Sequence, residues 1–157
     1  MKYVIEYKDG SVLVNMEDLK ISLEEAAAPI CYCLMTCDNY DLSSTVYKTF
    51  KEMALKDNLQ EAFNDIVYCN ENKDVENGKA TDCSFSIESF YNDEKIEVYL
   101  GYENFAMNKV HMLYAAICMA HTVRERISND EYMYLLDLIE KMYHQNINHI
   151  SDERKLI

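Results

Sequence analysis

The sequence predicts an α+β fold: an antiparallel sheet built from two hairpins, in the order ββ-ααα-ββ-αα, with helices packed on one face. Three observations predict it. Two stretches of alternating apolar and polar residues are each split by a short turn. Several apolar stripes recur at three-to-four spacing behind capping residues. The chain of 157 residues holds only 3 Gly and 1 Pro, too few breakers for a loop-rich protein. A single globular domain spanning 1–157 is expected, with 146–157 as a frayed tail.

The first hairpin pairs residues 3–7 with 11–15 across Lys8-Asp9-Gly10, where Asp-Gly is a strong turn signal. Ser22 and Glu25 have capping-box spacing and open a helix over about 23–37. Pro29 lies inside it, removes one donor and crowds the preceding turn, so a kink or early break is expected. A second helix, about 44–55, turns Val46, Tyr47, Phe50, Met53 and Ala54 to one side. A third is expected from Asp57 to about Tyr68, and 70–82 reads as a polar surface loop.

The second hairpin pairs 83–91 with 95–103. Phe85 and Ile87 alternate with polar groups, as do Ile96, Val98 and Leu100, so one face is buried and Glu88, Glu97 and Glu103 fall on the wet one. A long helix, Phe105 to Ile127, is apolar nearly all round from Met112 to Ala120 and should be central, with Arg124, Glu125 and Arg126 ending it in solvent. Ser128 and Glu131 form another capping box ahead of a last helix with Tyr132, Leu135, Leu136, Ile139, Met142 and Tyr143 inward.

Chemistry-bearing motifs are scarce. Three isolated glycines make neither a dinucleotide nor a phosphate loop, and no nucleophile elbow or kinase signature occurs. Cys31, Cys33 and Cys37 suggest a metal site, but on a helix Cys31 and Cys33 diverge and no second ligand pair follows. With Cys69, Cys83 and Cys118, they read as buried free thiols. No metal, cofactor or catalytic residue is assigned, and an enzyme is not expected. The competing reading is a small cytosolic enzyme or ligand-binding domain with a pocket near His111 and His121. A homo-oligomeric structural protein is a third reading.

Charge supplies the functional lead. The chain carries 28 acidic and 15 basic residues, a net charge of −13. Residues 57–103 hold Asp57, Glu61, Asp65, Glu71, Asp74, Glu76, Asp82, Glu88, Asp93, Glu94, Glu97 and Glu103 against only Lys73, Lys79 and Lys95. Such a surface repels nucleic acid and anionic membranes and attracts basic ones. These acids are expected to occupy a basic protein surface, one that itself binds nucleic acid, in the manner of a nucleic-acid mimic. In composition alone the chain is similar to inhibitor, antitoxin, immunity and phage anti-defence proteins. The opening MKYVIEYKDG has no apolar leader and the longest apolar window, Val110 to Ala120, is too short for a membrane span. A cytoplasmic location in the producing or host cell is expected.

Overall fold

The structure is a computed structural model that describes residues 1–8, 11–17, 21–37, 43–58, 83–92, 95–104 and 109–147. Four strands and four helices follow one another as β1 (Lys2–Lys8), β2 (Ser11–Met16), α1 (Leu23–Cys37), α2 (Ser43–Ala54), β3 (Cys83–Asn92), β4 (Lys95–Asn104), α3 (Lys109–Arg124) and α4 (Asn129–Ile147). The α+β class and the antiparallel sheet stand as the sequence predicts. The additional helix expected up to Tyr68, and the loop 70–82, fall outside the described residues beyond Asn58.

The sheet order is β2-β1-β3-β4. The two hairpins meet through β1 and β3, antiparallel, with Tyr3 opposite Ile87 and Ile5 opposite Phe85. Side chains alternate across each strand, so this register puts Tyr3, Ile5, Phe85, Ile87 and Val98 on one face, all buried. Each large apolar group withdrawn from water contributes about 1.5–3 kcal/mol. A slip by one residue would turn the whole set outward.

Helices α1 and α3 lie against this inner face: α1 on β3 and β4, α3 on β2. Helices α2 and α4 pack on them from behind. The run Ala115 to Ala120 is buried on every side, as its unbroken apolar pattern predicts. The stripes predicted for α2 and α4 also face inward: Tyr47, Phe50, Met53 and Ala54 on the first, Tyr132, Leu135, Leu136, Ile139 and Tyr143 on the second.

Two local expectations are corrected, the early break at Pro29 and the end of α3. Helix α1 runs unbroken from Leu23 to Cys37 through Pro29. Proline offers no N–H to the carbonyl four residues back, which is that of Glu25. Ser89 of β3 supplies the missing donor, its hydroxyl bonding to the Glu25 carbonyl. The same junction is tied twice more, by Ser89 N–H to the Met1 carbonyl at 2.8 Å and by the Met1 nitrogen to the Ser89 carbonyl at 2.6 Å. Tertiary contact thus fills the gap that local sequence leaves.

The second correction concerns α3, which ends at Arg124 rather than Ile127. Arg124 does not end in solvent: its guanidinium donates to the Lys56 carbonyl at 2.6 Å and lies 5.0 Å from the centre of the Tyr132 ring. Helix α4 continues to Ile147, and residues 148–157 of the expected tail lie outside the described residues. Its start is the predicted capping box in full. Ser128 N–H donates to Glu131 Oε1 at 3.0 Å, and Glu131 N–H donates to Ser128 Oγ at 3.2 Å. The Ser128 backbone N–H first, and its hydroxyl second, hold the Glu131 carboxyl below its ordinary pKa.

Candidate functional site

Among the described residues, no helix packs on the outer face of the sheet. Its side chains form a lattice set by strand register. Lys2 and Glu88 are directly opposite, as are Val4 and Ser86, and Glu6 and Ser84. On the other flank Glu88 faces Tyr99, Phe90 faces Glu97, and Ser86 faces Gly101. Leu13 of β2, opposite Glu6, belongs to the same face and is 55 % exposed.

Two features stand out on this lattice. The rings of Phe90 and Tyr99 stack with centres 5.1 Å apart and planes within 5°. Both remain open to solvent, Phe90 at 38 % and Tyr99 at 48 %. The Tyr99 hydroxyl donates to Glu97 Oε2, and that bond to a carboxylate is the main reason the phenol's pKa is raised. Beside the stack runs a groove of about 300 Å³ lined by Lys2, Val4, Glu6, Ser84, Ser86 and Gly101. Small side chains make it. A Cβ at Gly101 would stand 2.6 Å from Ser86 Oγ, so any larger residue would force Ser86 aside and narrow the groove.

The predicted acidic window is only partly gathered here. Glu88 and Glu97 belong to the face. Asp57 is exposed just beyond α2, a helix that packs on the other helices and not on the outer face. Glu103 lies in β4 with its side chain outside the described residues, and Glu61, Asp65, Glu71, Asp74, Glu76, Asp82, Asp93 and Glu94 are outside them altogether. Sequence reading missed Glu6, Phe90 and Tyr99 as a group. The signal was present in the alternation of the strands, which places positions 6, 88, 90, 97 and 99 opposite the buried set.

Of the two histidines of the alternative reading, the side chain of one is described. His121 is buried, and its Nε2 lies 3.0 Å from the Met53 carbonyl. Tyr132 donates to the Ala54 carbonyl at 2.7 Å. His121 and Tyr132 thus cap the last carbonyls of α2, a helix end that has no glycine, and Arg124 holds the Lys56 carbonyl just beyond it. Burial pushes the His121 pKa down, and the neighbouring Arg124 charge adds to this, against the opposing bond to Met53. The His111 side chain lies outside the described residues.

Cys31, Cys33 and Cys118 are buried and form no disulfide, and burial raises the Cys118 thiol well above its ordinary value. The Cys31 thiol lies 3.7 Å from Met35 Sδ, one helical turn on. Among the described residues, no three His, Cys, Asp or Glu side chains stand close enough to share a metal ion. Nor is any described helix long and apolar enough to cross a membrane.

Fold and site together define an α+β domain whose sheet is covered by helices on one side and presents an aromatic and acidic lattice on the other. Comparison with protein-family models, with curated proteins and with solved structures finds no match.

Proposed function

We propose that this protein is a non-enzymatic binder that occupies a basic surface of a partner protein, and so blocks it, with the outer face of its sheet. One observation carries the reading: an exposed aromatic stack, Phe90 on Tyr99, with the carboxylates of Glu88 and Glu97 on the opposite diagonal and Glu6 further along the same face. Large aromatics left at a surface are the residues that anchor protein interfaces, where they add apolar area at low entropic cost. The surrounding carboxylates select a partner of opposite charge and steer it in. A basic surface that ordinarily takes nucleic acid fits this description. Such a partner makes the protein an inhibitor by occupation, and a chain of net charge −13 is suited to it.

The test is capture of a partner from the source cell, followed by binding measurements with the purified pair. The double reversal Glu88→Lys with Glu97→Lys should abolish capture, and wild-type affinity should fall clearly between low and moderate salt. Reversal of Asp130 and Asp137, exposed on α4, serves as the matched-charge control and should leave capture intact. Equal binding by the Glu88/Glu97 double variant and the wild type would overturn the reading. Light scattering on the free protein separates it from self-association.

A further inference from the structure

Resting on that docking reading, we infer that the outer face selects arginine side chains in its partner, and that lysine does not substitute. The geometry is a two-by-two array on neighbouring strands. Glu88 and Phe90 alternate along β3, Glu97 and Tyr99 along β4. The antiparallel register sets Glu88 opposite Tyr99 and Phe90 opposite Glu97. The two aromatics therefore occupy one diagonal and the two carboxylates the other. Directly opposed residues have Cβ atoms about 4.5–5.5 Å apart and diagonal ones about 7–8 Å. A group seated on the ring stack is thus flanked by a carboxylate on either side.

A guanidinium matches this array better than any other protein cation. It is planar, so it can lie flat on an aromatic ring. It is weakly hydrated, so leaving water for an open surface costs it little. Its in-plane N–H groups point outward toward carboxylates at its edges. A lysine ammonium is compact and strongly hydrated and has no flat face to stack. Two details preorganise the array. The stacked rings hold each other in place, and the Tyr99 hydroxyl holds the Glu97 carboxylate beside them. The adjoining groove over Ser84, Ser86 and Gly101 gives room for the main chain on which such an arginine would be carried. Aromatics on an open sheet also stack nucleobases. Here Glu88 and Glu97 stand directly opposite the two rings, and carboxylates at that distance repel the phosphates that stacked nucleobases would bring with them.

The experiment titrates the intact protein with a fluorescent peptide alternating arginine and serine, with its lysine and citrulline counterparts, and with single-stranded oligouridylate. The Phe90 and Tyr99 ring resonances are followed by NMR. The arginine peptide should bind roughly tenfold more tightly than the lysine peptide and shift both rings, with citrulline weakest. Phe90→Leu and Glu97→Gln should each erase the arginine preference without lowering the melting temperature. Equal binding of the arginine and lysine peptides, still lost on the Glu88/Glu97 double reversal, would overturn arginine selection and leave a basic-partner surface standing. Binding of neither basic peptide, or of oligouridylate in their place, would overturn both.

Discussion

The inner and outer faces of the β3–β4 hairpin follow opposite rules at adjacent residues. On the inner face stands a polar residue, Ser89, fully buried. On the outer face stands a large apolar one, Phe90, in contact with solvent. Each breaks the alternation that the rest of β3 obeys. The inner exception has a structural cause, because Ser89 completes the hydrogen bonding that Pro29 leaves open in α1. The outer exception is exposed rather than part of the core: Phe90 stacks on Tyr99 and stands opposite Glu97. A departure from pattern that repairs the fold and one that serves binding look alike in sequence. They differ in what the side chain meets.

The largest expected contrast sets an inner neighbour against an outer one. Ile87→Ala empties a fully buried site and should destabilise by about 2–5 kcal/mol in chemical unfolding. Phe90→Ser, three positions on, should change stability by no more than about 0.5 kcal/mol. It should nonetheless remove partner binding. Comparable losses of stability at both sites would mean that the outer aromatics belong to the core.

A smaller effect sharpens the inner exception. Ser89→Ala leaves the part-buried Glu25 carbonyl without its hydroxyl donor and should cost about 1 kcal/mol. In a Pro29→Ala background the helix regains its own N–H for that carbonyl, so the cost of Ser89→Ala should shrink markedly. A double-mutant cycle by urea denaturation measures this coupling. Additive effects would show that Ser89 is buried for some other reason.

The mildest effect is pH dependence at the helix end that His121 caps. Burial lowers its pKa from the ordinary 6.5, so the folded state resists the proton more than the unfolded chain does. Stability from this group is therefore present above about 6.5 and lost as pH falls below it, since the unfolded state there binds more protons. Melting temperature should decline across that range in wild type. The decline should be shallower in His121→Gln, whose amide can still donate to Met53 but does not titrate. An unchanged slope would assign the acid sensitivity elsewhere.

Period-two alternation and capping residues were enough to place both hairpins and to start α1 and α4, because strand pleat and helix caps are local properties. The apolar stripes of Tyr47, Phe50, Met53 and Tyr132, Leu135, Leu136 likewise marked the buried faces before any contact was known. Charge counting found Glu88 and Glu97 but grouped them with Asp57, which the fold sets among the helices. Distance along the chain says nothing of distance across a sheet.

Tertiary structure alone decided the rest. That β1 joins β3 depends on which edges bury most when two hairpins share one helical layer, a long-range choice with no local signature. The survival of α1 through Pro29 depends on a hydroxyl 60 positions further on. The end of α2 depends on His121 and Tyr132 reaching it from two other elements. The array of Glu88, Phe90, Glu97 and Tyr99 depends on the register of two strands, which a shift of one residue would dissolve. The sequence by itself determined which residues could be buried and where helices could begin. Only packing, through contacts made at a distance in the chain, decided which carbonyls found donors and which exposed side chains became neighbours.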